Sequence, residues 1–260
     1  MNKKKITITK SIFYSVIFLI ILIIMLVNKD SIYDSIKYNF LESNNMDMLY
    51  EGLGNTIIIT ICAFLLGLLI GLITCLVEGM SDKNPFNIIL KQLFKIYVSV
   101  FRGTPAIVQL LIIYFIIFRT ASADYSIAIA ILAFGLNSGA YVSEILRGGI
   151  NAVPQGQIEA GRSLGLSYPT VMIKIVFPQA IRHALPSLGN EFITLIKETS
   201  IVGFIGAYDL TLSFRKLANA TYDYATVYIV MGITYFIIIL FITYLFTLIE
   251  RKLIKHVNTK

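Results

Sequence analysis

The chain has 260 residues, of which 57% are hydrophobic and only 14% are charged. Its apolar residues occur in long uninterrupted runs, which excludes a water-soluble protein of this length, because such a chain needs far more polar surface. The formal net charge of +7 comes from Lys and Arg clusters beside the apolar runs, a pattern that more often sets membrane topology or contacts anionic lipid than binds nucleic acid.

Six segments approach the roughly 20 apolar residues that a spanning helix requires. They cover residues 11–28, 53–78, 97–118, 125–146, 187–206 and 225–249. The third is interrupted near its start by Arg102-Gly103-Thr104-Pro105. None shows the alternating hydrophobicity of barrel strands. The sequence therefore predicts an all-α, polytopic membrane bundle of about six transmembrane helices.

The first apolar run, residues 11–28, follows Lys3, Lys4 and Lys5 and could belong to a signal peptide. No small-residue cleavage site follows Val27, and the apolar core is long for a signal. We interpret this run as an uncleaved membrane anchor.

The distribution of charge orients the predicted bundle. The basic N-terminal tail indicates a cytoplasmic start, and the acidic stretch from Lys29 to Glu51 indicates an outer segment. Six crossings then place Lys83, Lys91, Lys95, the segment Arg147 to His183 and the C-terminal tail inside, and the turn Arg119 to Asp124 outside. Both termini are therefore expected in the cytoplasm. The family resemblance described below further implies that the membrane is the cytoplasmic membrane of a prokaryote.

A polar segment follows the fourth apolar run and has the local signals of two short helices. Pro154 opens the first helix, and Gly165 ends it in the left-handed conformation. Ser167 caps the second, with Pro169 in its first turn, and Pro178 closes it. Two explanations remain open from these signals: an amphipathic element that lies on lipid, or a docking surface for a cytoplasmic protein.

The residues of this segment resemble the EAA loop of ABC-importer permeases. Glu159-Ala160-Gly161 is followed after three intervening residues by Gly165, and after nine further intervening residues by Ile175-x-Phe177-Pro178. The family pattern has Ala in place of Gly161 and Leu in place of Phe177. The resemblance implies that a coupling loop, with Glu159, Ala160, Gly161, Gly165 and Pro178 as its characteristic residues, contacts a cytoplasmic ATPase.

Further stretches resemble the polar-amino-acid uptake permeases, the histidine and glutamine group. They are Phe101-Arg102-Gly103-Thr104-Pro105, Val108-Gln109-Leu110, Tyr114-Phe115, and the segments 144–150 and 190–200. The similarity covers residues 49–252, which the family implies to be a five-helix permease domain. Residues 1–48 are then an added anchor helix and outer segment, and residues 253–260 are a cytoplasmic tail.

The motif around Arg102 also has a physical interpretation of its own. Thr104 can cap a helix and Pro105 can open one, so the motif predicts a break with a helix N-terminus near the inner membrane surface. A simple helix start, a contact to an anionic substrate and a subunit interface all remain open.

Intramembrane polar residues are costly in hydrocarbon and tend to face a bundle interior or a cavity. Two stripes are candidates for a substrate path that holds an ammonium and a carboxylate: Asn137, Tyr141 and Glu144, and then Glu191, Thr194 and Glu198, with Lys197 beside them. The structural alternatives are an ion pair between Glu144 and Arg147 and another between Lys197 and Glu198. Separately, Gly67 and Gly71 form a GxxxG pattern that could let two helices approach closely.

The sequence contains no phosphate-binding loop of the G-x-x-x-x-G-K-[ST] type, no metal-ligand pair from His183 and His256, and no nucleophile and base constellation. We therefore expect a non-catalytic permease without a metal or a cofactor of its own. The resemblance implies a cytoplasmic ATPase dimer that binds ATP and Mg²⁺, a second identical or homologous permease subunit, an extracytoplasmic amino-acid-binding protein, and transport by alternating access.

Three alternatives differ in class from this prediction or in the solute carried. The first is an ion-coupled secondary transporter with Glu144, Lys197 or Glu198 as the ion site, and the second is a membrane scaffold or receptor. The third is an importer permease for another small polar solute. The sequence does not name the amino acid.

Overall fold

The computed structural model describes residues 29–42 and 45–255, so the predicted span 11–28 and residues 256–260 lie outside the described part of the chain. Ten α-helices and no strand occur in that part, which confirms the all-α prediction. The helices are α1 Lys29–Ile36, α2 Met46–Glu78, α3 Pro85–Gly103, α4 Ala106–Ile112, α5 Ser126–Asn151, α6 Gln155–Ser163, α7 Tyr168–Val171, α8 Phe177–Glu198, α9 Leu210–Thr221 and α10 Tyr224–Lys255. π-helical turns at Lys37–Glu42, Ile113–Ile117 and Met172–Val176 follow α1, α4 and α7, and 3₁₀ turns at Ala123–Tyr125 and Thr199–Ile205 precede α5 and follow α8.

Three described helices are long and apolar enough to cross a bilayer: Met46–Glu78, Ala123–Asn151 and Tyr224–Glu250. Helices α3 and α4 meet the same criterion only as a pair, and they are bent by 112° at a break. The predicted span over 97–118 is therefore two helices, with the interruption at the predicted motif and a bend that the sequence does not predict. Thr104 is extended, with φ −126° and ψ 149°. The helical region is disfavoured for a residue before a proline, and Pro105 starts a new helix in a different direction.

The fifth predicted span, residues 187–206, is divided between α8 and the 3₁₀ turn, which ends at Gly206 with φ 77°. Helix α8 starts earlier than predicted, at Phe177, and carries Pro186 in its interior. By length and composition it is not among the candidate spans of the described chain, because its polar and charged residues are too numerous.

Helices α2 and α5 make the most extensive helix pair in the fold, and glycines at their contact explain why. A Cβ added to Gly71 would lie 2.5 Å from Val142 Cγ1, and a Cβ added to Gly139 would lie 2.7 Å from Ile70 Cγ2. Gly67 also faces α5 at close range. The GxxxG prediction is thus confirmed, with the partner helix in the same chain.

The largest buried core joins α2, α4, α5 and α8. Its fully buried members include Ile59, Leu110, Phe134 and Leu195. A second cluster lies where the chain enters α2 and passes from α9 to α10, and contains Phe40, Leu49, Leu210, Phe214, Leu217, Ala218 and Val227. These two clusters fix the helices that frame the site described below.

The segment between α1 and α2 is tied to this second cluster by polar and aromatic contacts. Asn39 Nδ2 donates a hydrogen bond to Asp223 Oδ2 at 2.9 Å. The rings of Phe40 and Phe214 lie with centroids 6.3 Å apart. The described chain upstream of α2 therefore packs on the ends of α9 and α10 that meet at Asp223.

Helix α9 begins at a buried cap. Asp209 accepts hydrogen bonds from Leu212 N at 2.9 Å and from Thr211 N at 3.1 Å. These bonds satisfy two of the backbone donors that a helix N-terminus leaves free. Burial raises the pKa of the Asp209 carboxyl, although both hydrogen bonds act to lower it.

Candidate functional site

The polar segment after α5 folds as two short helices joined by an elbow. Pro154 precedes α6, and Gly165 has φ 82°, so the prediction that this glycine is left-handed is confirmed. Ser167 Oγ accepts a bond from Thr170 N at 3.4 Å, and Pro169 lies in the first turn of α7, as predicted. We name residues 154–171 the elbow segment.

The prediction that Pro178 closes the second helix is wrong. The chain passes from α7 through the π turn Met172–Val176 directly into α8, and Pro178 occupies the first turn of that helix. A proline in a continuous helix lacks a donor and crowds the preceding turn. The π turn widens the helix immediately before Pro178, with the Phe177 N–H donating to Met172 O, so the helix continues.

The motif residues of α6 divide between a surface and a packed face. Glu159 and Ala160 are exposed. Gly161 is buried, and a Cβ added there would lie 2.9 Å from Val171 Cγ2 and 3.2 Å from Ile175 Cδ1. Gly161 therefore lets α6 lie close against the second half of the elbow, a role that sequence reasoning missed.

The break after Arg102 is held by a residue to which sequence reasoning gave no role, Gln109. Its Nε2 lies 2.8 Å from Phe101 O and 3.0 Å from Thr104 O, and it is buried in the first turns of α4. Its Oε1 accepts a bond from Asn137 Nδ2 at 2.8 Å. The break predicted here is confirmed, and a Gln four residues after Pro105 was the available signal.

Thr104 does not cap α4, contrary to prediction. Its hydroxyl donates to Val100 O at 2.8 Å, which returns it to the end of α3, and Pro105 takes the N-cap position. The extended backbone of Thr104 directs its side chain away from the first amides of α4.

The first predicted stripe separates into a structural residue and two residues at a cavity. Asn137 is buried against Gln109 and the Phe101 carbonyl. Tyr141 is half-buried, with the Arg102 guanidinium 5.5 Å from its ring centroid. Asn137 thus supports the break, whereas Tyr141 lies beside the charge of Arg102.

Glu144 is the centre of a chain of ion pairs. Its Oε2 lies 2.5 Å from Arg147 Nη2 and 3.2 Å from Arg102 Nη1, and Arg147 Nε lies 3.9 Å from Glu78 Oε2. The alternative interpretation of Glu144 as a partner of Arg147 is confirmed, and the structure adds Arg102. These ion pairs join the ends of α2 and α3 to α5.

A polar cavity of about 530 Å³ opens beside these ion pairs. Its lining comes from α3, α5 and α8 and contains Arg102, Tyr141, Glu144, Ile145, Gly148, Gly149, Ala152, His183 and Ser187. Both signs of charge and an aromatic ring therefore border one space. That combination suits a zwitterion whose ammonium and carboxylate need separate partners.

One face of α8 continues this polar surface. His183, Ser187, Asn190 and Lys197 are exposed, and Thr194 is half-buried. Counted from His183, the other four residues lie four, seven, eleven and fourteen positions later, which places all five on one side of the helix. The spacing was visible in the sequence, but sequence reasoning chose only Thr194 and Lys197 from it. We name this set the polar stripe.

The two acidic candidates of α8 lie beside the polar stripe. Glu191 is buried, with 9% of its surface exposed, and Glu198 is half-buried. The proposed alternative of an ion pair between Lys197 and Glu198 is wrong, because their charged atoms do not come within 4.0 Å. Thr194 uses its hydroxyl to donate to Asn190 O at 3.0 Å.

The family described as "Binding-protein-dependent transport system inner membrane component" matches residues 67–255. The chain belongs to this family. Three relatives with assigned names illustrate its range. The putative glutamine transport system permease protein GlnP of Rickettsia typhi is 38% identical to this chain over 207 residues, which cover 79% of this chain and 93% of that protein. The arginine permease ArtQ of Bacillus subtilis is 38% identical over 79% of this chain and 92% of its own length. The L-cystine permease TcyB of the same organism is 35% identical over 86% and 94%.

Two solved transporter structures resemble this fold. A crystal structure of an amino acid ABC transporter with histidines matches at a TM-score of 0.74 and 37% identity, covering 85% of this chain and 97% of that chain. The MetNI methionine ABC transporter, at 21% identity and a TM-score of 0.69, shows likeness of fold alone. The family match contains the elbow segment, the cavity and the polar stripe, whereas residues 1–66 precede it.

Proposed function

We propose that this chain is the non-catalytic membrane subunit of an ATP-driven importer that moves a polar amino acid into the cell. Its relatives are named as arginine, L-cystine and putative glutamine permeases, and these names support the substrate class. The observation that carries the proposal is the polar stripe, because exposed polar and charged side chains on a membrane helix need a water-filled path or a partner.

The substrate path runs along the polar stripe to the cavity beside Glu144. At the cavity, the Arg102 guanidinium attracts a carboxylate and the Glu144 carboxylate attracts an ammonium, and Tyr141 offers a ring and a hydroxyl between them. A second permease subunit, identical or homologous, faces the polar stripe across the path. This arrangement accounts for the exposure of Asn190 and Lys197 without placing them in lipid.

The elbow segment is the contact to the ATPase. Glu159 presents an exposed carboxylate on α6. Gly161 packs closely against Val171 and Ile175, so α6 and the chain that follows it form one packed unit. The partner ATPase dimer binds ATP and Mg²⁺. An extracytoplasmic binding protein delivers the substrate, and nucleotide-driven motion of the elbow segment biases the bundle between two states.

The experiment is uptake of a panel of radiolabelled polar amino acids into proteoliposomes that hold the permease, its ATPase and its binding protein. Lys197→Met and Asn190→Leu should lower ATP-dependent uptake at least tenfold while the complex still assembles. Lys83→Met, which removes an exposed lysine outside the polar stripe and outside the coupling loop, is the matched control and should leave uptake unchanged.

The same vesicles distinguish the alternative of an ion-coupled transporter. Uptake that persists without ATPase and follows an imposed proton or sodium gradient would overturn the importer proposal. ATP-dependent uptake of another solute, with no amino acid of the panel transported, would contradict only the proposed substrate class.

A further inference from the structure

A wholly apolar groove lies on the side of α8 opposite the polar stripe. It has a volume of about 520 Å³ and is formed by one face each of α2, α8 and α10. Its lining is Leu53, Thr56, Ile57, Thr60, Ile61, Phe192, Ile196, Ile237, Ile238, Phe241, Ile242, Leu245, Phe246 and Ile249. Because Phe192 and Ile196 project about half a helical turn from Asn190 and Thr194, the groove faces away from the proposed path.

The groove offers no free polar group to an occupant. Two threonines line it, and both hydroxyls are engaged: Thr60 donates to Thr56 O at 2.7 Å, and Thr56 Oγ1 accepts from Leu210 N at 3.0 Å. Helix α10 contributes large side chains that nothing in the described chain covers, with Phe241 61% exposed. An apolar occupant is therefore expected.

The described chain begins beside one end of this groove. Helix α1 contacts α10, and the turn that follows it places Phe40 on Phe214. The cluster that holds Phe40 also receives Leu53 and Ile238, and both of these residues line the groove. The surface that anchors the upstream segment is therefore continuous with the groove.

The sequence directly before α1 has the length and chemistry of such an occupant. Residues 11–28 are apolar except for Ser11, Tyr14, Ser15 and Asn28. As a helix they would extend about 27 Å, against about 18 Å for the groove from Ile237 to Ile249. A covalent tether that ends beside the groove gives this run a higher effective concentration there than a free lipid chain or a second copy has.

We propose that the apolar run of residues 11–28 occupies the groove between α2, α8 and α10. Because the run is tethered to α1, its C-terminal part, residues 23–27, is the part expected to come within reach of Ile57. The extension thus completes the lipid-facing side of the bundle and keeps α10 from being the outermost helix.

Disulfide cross-linking in a cysteine-free background tests the proposal. The two native cysteines, Cys62 and Cys75, are both unbridged and are first changed to alanine. Single cysteines are then placed in turn at residues 23–27 and combined with Ile57→Cys. A protease site inserted between Ser43 and Asn44 separates the extension from the rest of the chain, so only an internal cross-link keeps the fragments together on a non-reducing gel.

The matched control is Ile58→Cys. Ile57 and Ile58 are adjacent in α2, have the same side chain and are 46% and 51% exposed, but only Ile57 lines the groove. Internal cross-linking should be at least fivefold stronger with Ile57→Cys than with Ile58→Cys, and it should recur every three to four residues along 23–27. Phe241→Cys against Leu240→Cys repeats the comparison from α10, in case the α2 variants do not fold.

Each other outcome overturns the proposal and identifies the occupant. Cross-links that form only between differently tagged copies would assign the groove to a second permease. Equal cross-linking at Ile57 and Ile58, or none in protein that is monodisperse and retains transport, would leave the groove to lipid.

Discussion

Arg102 Nη1 lies 3.2 Å from Glu144 Oε2, so the last turn of α3 is joined to α5 immediately before the chain breaks at Pro105. Glu144 also accepts from Arg147, which reaches toward Glu78 at the end of α2. A single exposed ion pair contributes little to stability, but replacing a carboxylate that several cations share removes all of its ion pairs at once. Glu144 therefore ties the end of α3 to α5 next to the break that Gln109 holds.

Replacing Glu144 with Gln should lower ATP-dependent uptake severalfold, because Arg102 loses its carboxylate partner and Arg147 keeps only the 3.9 Å contact to Glu78. Glu78→Gln is the control, since it loses only the 3.9 Å contact to Arg147, and it should retain most of the uptake. Transport assays in proteoliposomes, with assembly checked by size-exclusion chromatography, measure the difference. Equal losses in the two variants would contradict a special role for Glu144.

The contact between α2 and α5 should tolerate no side chain at Gly71. Gly71→Val would place new atoms against Val142, which is fully buried, and overpacking of this kind costs about 1–3 kcal/mol. Gly54→Ala in the same helix is the control, because no atom lies within 4 Å of its added Cβ. Thermal unfolding in detergent should show a lower midpoint for Gly71→Val alone.

Charge reversal at Glu159 should separate ATP hydrolysis from transport. If the carboxylate fits a groove of the ATPase, Glu159→Lys places a cation there, and breaking a buried charged contact costs roughly 2–5 kcal/mol. Copurification of the ATPase, or stimulation of its hydrolysis by substrate, should fall sharply. Glu159→Gln keeps the shape and should have a smaller effect.

The elbow offers a second and independent test. Gly165→Val should weaken ATPase coupling, because a β-branched residue resists φ near 82°. Gly232→Ala is the control, since Gly232 lies in α10, outside the elbow segment, with a negative φ and open space around its Cβ position. Normal coupling in both Gly165→Val and Glu159→Lys would mean that the elbow segment is an interfacial loop.

The cap of α9 predicts opposite effects for two substitutions of Asp209. Asp209→Ala removes both hydrogen bonds to the first turn and should cost about 0.5–2 kcal/mol. Asp209→Asn keeps an acceptor and removes a buried charge, so it should be neutral or stabilising near pH 7. Denaturation of the purified protein in detergent provides the comparison.

The pH dependence at Asp209 follows from the raised pKa. The folded state binds a proton more tightly than the unfolded state, so the ionised carboxylate costs stability above the folded pKa. That cost disappears as the pH falls through this pKa. Any advantage of Asp209→Asn over the wild type should therefore shrink as the solution is acidified, and an advantage that grows would contradict this assignment.

Membrane orientation can be tested at two of the most exposed side chains. Tyr222 is 82% exposed at the α9–α10 turn, and Leu164 is 81% exposed at the elbow. In a cysteine-free background, an impermeant maleimide added to intact cells should label Tyr222→Cys and not Leu164→Cys. The reverse pattern would invert the proposed orientation.

Local chemistry made the elbow largely predictable. The left-handed Gly165 and the capping Ser167 are each dictated by one or two residues and their immediate neighbours. The same is true, outside the elbow, of the break at Pro105. Pro178 was misjudged because the π turn before it depends on how α7 enters α8, which no single residue announces. The break at Pro105 is predictable, but its bend of 112° is not, because Gln109 and Asn137 hold the bend from separate helices.

The candidate site was only partly predictable. Hydropathy marked polar residues as unusual, but it did not reveal which way each one faces. Glu191 and Thr194 seemed to share a stripe, yet Glu191 is buried and the exposed residues are His183, Ser187, Asn190 and Lys197. Facing direction is set by tertiary packing, and here it depends on where α2, α5 and α10 contact α8.

The two unlike sides of α8 constrain how this helix can move. A roll about its own axis would carry Asn190 and Lys197 toward the space beside Phe241 and expose Phe192 to water. Both displacements oppose the solvation of these side chains, whereas a tilt or a slide along the axis leaves each side in its own medium. We therefore expect α8 to tilt or slide without rotating about its own axis. The backbone would then bend near Pro178, where the chain enters α8, and at Gly206, after the 3₁₀ turn that follows it.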